Sequence, residues 1–137
     1  MCWTRSTGDC ESYPRSRGSE SRATRSVSYT HLPVGIAITP NGKTAYVTDD
    51  DSGYVTPIDL ATNEAEMRIK VGDAPEGIAI TPNGKTAYVV NTGDASVTPI
   101  EVANNEPREP IPVGVNPVGI AITPNGKTCL LYTSRCV

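Results

Sequence analysis

An all-β fold of stacked antiparallel sheets is predicted by three features of the sequence. One unit recurs three times at a 42-residue step, each full unit holds four strand-like runs, and no stretch keeps apolar residues at helical spacing long enough to compete. Gly35, Gly77 and Gly119 mark the step, and Pro33, Pro75 and Pro117 keep it. Repeats of this length are supersecondary units that bury their apolar faces only against neighbours. Prolines punctuate every period, which excludes helical repeats of similar length. Four short antiparallel strands describe one blade. The chain holds two full units and the start of a third, whereas closed rings have about four to eight. The fold class is therefore an incomplete β-propeller built from four-stranded antiparallel blades.

Each element carries its own residue signal. In the first run, Gly35-Ile-Ala-Ile-Thr39, alternation sends Ile36 and Ile38 to one face and Ala37 to the other, so large side chains of one blade should meet small ones of the next. Pro40-Asn41-Gly42 then makes a tight hairpin turn, with Asn-Gly supplying φ > 0 positions. The second run is Thr44-Ala-Tyr-Val-Thr48, the third Tyr54 to Leu60, and the fourth Glu66 to Val71. Pro57 and Pro99 sit inside the third run and cannot donate to a ladder, so a bulge or one-sided pairing is expected there. Sheets should span about Val34 to Val71 and Gly77 to Val113, with Ile36, Ile38, Ile78, Ile80, Tyr46 and Tyr88 buried between blades. A third unit should begin at Gly119 to Thr123 and cross its Asn125-Gly126 turn, with Cys129 to Tyr132 pairing as a strand.

Ile-Thr-Pro-Asn-Gly-Lys-Thr occurs three times and raises the question of a phosphate loop. Such a loop needs a glycine five positions before its Gly-Lys pair and a helix after it. The residues at that spacing are Ala37, Ala79 and Ala121, and in the first two copies the chain continues as strand-forming Thr-Ala-Tyr-Val. A turn explains every residue.

Pro-x-Gly-Ile-Ala-Ile-Thr-Pro-Asn-Gly-Lys-Thr-Ala-Tyr-Val, then Val-Thr-Pro-Ile-Asp-Leu-Ala-Thr-Asn, then Ile-x-Val-Gly, closely resembles the YVTN-type β-propeller repeat over residues 33–128. The namesake tetrapeptide stands here as Tyr46-Val-Thr-Asp49 and Tyr88-Val-Val-Asn91, each one residue off. The resemblance implies a propeller that acts as a scaffold or binding surface, at the cell surface or outside the cell.

The ends differ in chemistry from this body. Residues 33–128 hold 12 of the 15 acidic residues, against four lysines and two arginines, while residues 1–32 hold five arginines and no lysine. All four cysteines, the one histidine and the one tryptophan lie outside the repeats. A basic, disordered arm that contacts nucleic acid is one reading of such a flank. The codons give another. TGTCTCTTATACACATCT encodes Cys129 to Ser134, and CTGTCTCTTATACACATCT read in the next frame encodes Val27 to Leu32. That string resembles the transposon end used in sequencing libraries, and its reverse complement, AGATGTGTATAA, continues as Arg135-Cys136-Val137 and a stop. We therefore expect residues 1–32 to be a disordered, non-native flank, adapter-derived from 26 onward, and residues 129–137 to be an adapter-derived tail. Independent resequencing that still finds these codons would refute this.

With the flanks set aside, no catalytic, cofactor-binding or metal residue is nominated. Cys2 with Cys10, or Cys129 with Cys136, matches no zinc spacing, and His31 has no serine or aspartate to serve. Asp49-Asp50-Asp51-Ser52-Gly53 is dense in oxygen ligands, but an EF-hand-like loop needs Glu at its twelfth position, where Leu60 stands. A solvated turn is expected. The functional expectation is a non-enzymatic propeller segment, part of a larger surface or secreted protein, located outside the cell or in its envelope. Its partners would be a protein or ligand on the propeller surface, and missing blades or a second copy at its ends, with no cofactor, nucleic acid or membrane span. The alternative is a fragment of a propeller enzyme, lactonase-like, lyase-like or redox-cofactor-dependent, whose catalytic blades lie elsewhere.

Overall fold

The computed structural model describes residues 32–133. Expectations for residues 1–31, including the Cys2/Cys10 pair and His31, and for Cys136 fall outside this range. Twelve strands and no helix make up the described residues, so none of them forms a helix long and apolar enough to cross a membrane. No helix crosses any Gly-Lys-Thr copy.

The first blade is built from β1 (Pro33–Ile38), β2 (Thr44–Asp49), β3 (Tyr54–Asp59), β4 (Glu64–Ala65) and β5 (Ile69–Lys70). The second repeats it as β6 (Pro75–Ile80), β7 (Thr86–Asn91), β8 (Ser96–Glu101), β9 (Glu106–Pro107) and β10 (Ile111–Pro112). A third sheet contains β11 (Pro117–Ile122) and β12 (Cys129–Thr133). All pairing is antiparallel, and each full blade is a meander whose fourth strand comes in two pieces.

Proline explains that break. β4 and β5 both pair with β3, and the gap between them lies opposite Pro57. Glu66 N–H donates to the Pro57 carbonyl at 2.8 Å, but Pro57 has no N–H to return, so the ladder opens there. The β2–β3 ladder, on Pro57's other side, runs unbroken. Pro99 repeats the arrangement, accepting from Arg108 N–H at 2.7 Å. One-sided pairing, as the sequence leads one to expect, is the outcome at both prolines.

The hairpin turns differ in detail from that expectation. Gly42, Gly84 and Gly126 have φ of 70°, 69° and 68°, while the asparagine before each is not in the left-handed region. Gly42 N–H donates to the Thr39 carbonyl at 2.8 Å, which makes a turn over Pro40-Asn41 with one left-handed residue after it. Asn41 contributes through its side chain instead: Oδ1 accepts from Lys43 N–H at 3.0 Å and from the Thr39 hydroxyl at 2.7 Å.

The blades stack through their inner strands, β1 along β6 and β6 along β11. Register places Ala37 with Tyr46 on one face of the first blade, and Ile36 with Val47 and Ile38 with Ala45 on the other. The first face turns towards the second blade, where Tyr46, Val55 and Ile69 form one core with Ala87, Val89 and Ile100, and Ile78 and Ile80 pack against it. Bulk therefore meets smallness across the boundary. Gly35 is required by this approach, since a Cβ there would run into the Glu76 carbonyl and lie 2.8 Å from Thr48 Oγ1. Gly77 meets the Val118 carbonyl in the same way, at 2.6 Å.

Two of the expected core positions are corrected. Ile36 and Ile38 are 65% and 56% exposed, because their face looks away from the second blade and no described residue covers it. Tyr46 is buried as expected, and Ile78, Ile80 and Tyr88 are half-buried. Tyr88 faces the third sheet, which among the described residues has no outer strands to cover it.

Candidate binding surfaces

Successive turns of a meander fall at opposite ends of the blade, so each blade offers two rims. On one rim the three Pro-Asn-Gly-Lys turns stand side by side, with Pro40 Cδ against Gly84 and Pro82 Cδ against Gly126. Lys43, Lys85 and Lys127 succeed one another there, one per sheet and all exposed. Backbone bonds from Leu60 N–H to Lys43 O at 2.9 Å and from Val102 N–H to Lys85 O at 3.0 Å tie the first two of these turns to the β3–β4 and β8–β9 turns beside them.

The opposite rim is acidic. Asp50 and Asp51 lie in the β2–β3 turn, and Asp49 Oδ1 accepts from Leu32 N–H at 3.2 Å. Between the blades, Asp94 Oδ2 accepts from Asp73 N–H at 2.7 Å, and Gly93 N–H donates to the Asp73 carbonyl at 3.1 Å. Beneath them Asn91 is fully buried, donating through Nδ2 to Ser96 Oγ at 2.9 Å and Thr98 Oγ1 at 2.8 Å. These aspartates close turns and brace neighbouring loops. Among the described residues no three His, Cys, Asp or Glu side chains gather as metal ligands. Cys129 is an exposed free thiol on β12, and partial burial pushes its pKa up, away from reactivity.

A groove of about 390 Å³ runs between the outer strands of the two blades, lined among others by Glu66, Met67, Arg68, Lys70 and Asn105. At its base the Tyr46 hydroxyl donates to Asn105 Oδ1 at 2.6 Å, and Asn105 Nδ2 donates to Glu66 Oε2 at 2.9 Å. Burial first, and the Glu66 carboxylate second, raise the Tyr46 pKa and keep the phenol protonated as a donor. On the rim of the groove Arg68 and Lys70 stand over the Tyr54 ring, 4.6 and 5.4 Å from its centre. Sequence reasoning missed this chain of contacts. The repeat marks Asn63 and Asn105 as the same turn position, and both have positive φ, but only Asn105 has a blade in front of it.

No family model matches the chain, and no curated protein matches it. Solved structures do. Hydrazine synthase of Kuenenia stuttgartiensis is 33% identical over 76% of this chain and 30% of its own, with a TM-score of 0.73. A 6-phosphogluconolactonase-like protein of Bacteroides fragilis is 25% identical over 74% of this chain and 32% of its own, with a TM-score of 0.66. A protein of unknown function from Desulfotomaculum acetoxidans shares the fold at 24% identity, over 74% of this chain and 35% of its own, with a TM-score of 0.67. This chain spans about a third of the length of each.

Proposed function

We propose that this chain is part of a YVTN-type β-propeller that serves as a scaffold or a protein- or ligand-binding surface, outside the cell or in its envelope, without catalysing a reaction. The observation that carries this reading is the sameness of the lysine rim. The Thr39–Asn41 contact of 2.7 Å recurs as Thr81–Asn83 at 2.7 Å and Thr123–Asn125 at 2.6 Å, and each asparagine holds the following lysine's N–H at 3.0 Å. A catalytic centre needs unlike groups converging on one substrate, and so needs blades that diverge. Like groups repeated blade by blade suit a surface that binds through many equivalent contacts.

A second reading draws on the solved structures, because hydrazine synthase and the lactonase-like protein carry enzyme names on the same fold. In that reading the catalytic groups stand on blades outside this chain. The complete open reading frame and the location of its product separate the two. Further near-identical blades behind a secretory signal support the scaffold. Divergent blades that bring histidines or paired carboxylates to the central channel, or lactone hydrolysis by the complete product, would overturn it.

A further inference from the structure

An asparagine that precedes glycine is prone to lose its side-chain amide, because glycine has no Cβ to keep its backbone nitrogen away from the asparagine Cγ. Of the eight asparagines in the sequence, only Asn41, Asn83 and Asn125 precede glycine, and all three stand in the repeated turn. The two in the complete blades share one set of bonds. Gly42 N–H donates to the Thr39 carbonyl at 2.8 Å, and Gly84 N–H to the Thr81 carbonyl at 2.8 Å. Asn41 Oδ1 accepts from the Thr39 hydroxyl at 2.7 Å and from Lys43 N–H at 3.0 Å, and Asn83 repeats both bonds with Thr81 and Lys85 at the same distances. Lys43 N–H can only donate, so the atom facing it is the amide oxygen. The threonines anchor these turns: they are 4% and 8% exposed, and each hydroxyl also accepts from the N–H of Thr44 or Thr86 at 3.1 Å. The asparagines themselves are exposed to water.

We propose that Asn41 and Asn83 are sites of succinimide-linked deamidation, and that the threonine-bonded turn keeps both closed while the chain is folded. In the open turn, Gly42 N gives up its proton to hydroxide and bonds to Asn41 Cγ, the Cγ–Nδ2 bond breaks, and Nδ2 leaves as ammonia. Water then opens the succinimide to aspartate or isoaspartate. One water is consumed and one ammonia released, with no oxidant or cofactor.

Two effects of the turn oppose each other. The bonds from Thr39 and Lys43 polarise the amide carbonyl and would steady an oxyanion at Oδ1. The same bonds fix the side chain, while the Thr39 carbonyl holds the nucleophile's proton. The second effect governs, because polarisation helps only after the nitrogen has reached Cγ, and reaching it means rotating the peptide out of its bond to Thr39. Conversion therefore waits on local opening. Its product alters the lysine rim: a carboxylate replaces a neutral amide two positions before Lys43 or Lys85, and an isoaspartyl link lengthens the main chain there.

Mass spectrometry of the tryptic peptides ending at Lys43 and Lys85, from the full chain held at mildly alkaline pH, follows both sites in one molecule. Folded, each site should convert at least about tenfold more slowly than in urea, the worth of one or two such bonds. Thr39→Val keeps the shape and removes the hydroxyl, so Asn41 should convert about tenfold faster with Asn83 unchanged. Thr81→Val should reverse the pattern, and Thr39→Ser, which keeps the hydroxyl, should leave both sites slow. Circular dichroism sets the temperature at which each variant is folded, and the comparison of folded chain with urea needs no substitution at all. A folded rate equal to the rate in urea would overturn the proposal. So would unchanged or slower conversion of Asn41 in Thr39→Val, which would show polarisation governing, and so would equal acceleration at both sites, which would place the gate in global unfolding.

Discussion

The Tyr46 hydroxyl reaches Asn105 Oδ1 over 2.6 Å, joining the second strand of one blade to the outer turn of the next across 59 positions of sequence. No local pairing rule produces this bond. It exists because the Ala37/Tyr46 face of the first blade is closed by the second, so it reports on blade stacking rather than on either blade alone.

Replacing that donor should therefore loosen the stack while leaving the hairpins intact. Tyr46→Phe keeps the buried ring and removes the bond, at an expected cost of about 1–2 kcal/mol because Asn105 Oδ1 loses its partner. Asn105→Ala should cost a similar amount, and the double variant less than the sum. Urea titrations of the four proteins measure the coupling, and full additivity would count against the bond.

The same phenol gives a dependence on pH. Burial, and then Glu66, raises its pKa above the ordinary value of 10.0, so the folded state holds the proton more tightly than the unfolded one. Its contribution is complete below the unfolded value and is lost as pH rises through the folded one. Stability should fall as pH is taken above about 10, and Tyr46→Phe should remove that part of the fall. A wild-type alkaline limb identical to that of Tyr46→Phe would contradict the assignment.

Equivalent glycines of the repeat should respond unequally. Gly35→Ala and Gly77→Ala place a Cβ against the Glu76 and Val118 carbonyls, whereas at Gly119 a Cβ meets only Tyr132 Cβ at 3.5 Å. The first two should destabilise by about 1–3 kcal/mol, as overpacking does, and the third by much less. Thermal melts of the three variants decide this, and equal losses would mean that strand propensity, not blade approach, governs the position.

In the turns, Asn41→Ala removes the acceptor for Lys43 N–H and for the Thr39 hydroxyl. The expected loss is about 1 kcal/mol, since the turn is exposed and water replaces part of what is lost. Asn41→Gly should cost at least as much. A gain on Asn41→Gly would restore the view that this position needs a left-handed backbone.

What was legible in the sequence is what one repeat can encode. Strand order, the Gly42 turn and the one-sided pairing at Pro57 all stem from residues within a single unit. The large-against-small packing of Ile78 and Ile80 on the Ala37 face was also readable, because it depends on alternation and an exact period. The exposure of Ile36 and Ile38 was not, since an apolar pattern says that a face seeks a neighbour and not whether one is present. Nor was the Tyr46–Asn105–Glu66 chain, because its members come from different units and Asn63, at the same repeat position as Asn105, makes no such bond among those described. Asn41 was read for its backbone, whereas its side chain closes the turn.

Nuclear Overhauser contacts in solution show whether consecutive blades share one core. Stacked blades should give contacts from the Tyr46 ring to the Asn105 side-chain amide, and from the Gly35 α-protons to the backbone of Glu76 and Gly77, alongside the cross-strand contacts within each hairpin. Intact cross-strand contacts with both inter-blade sets missing would show sheets that fold without stacking, and would refute the shared core.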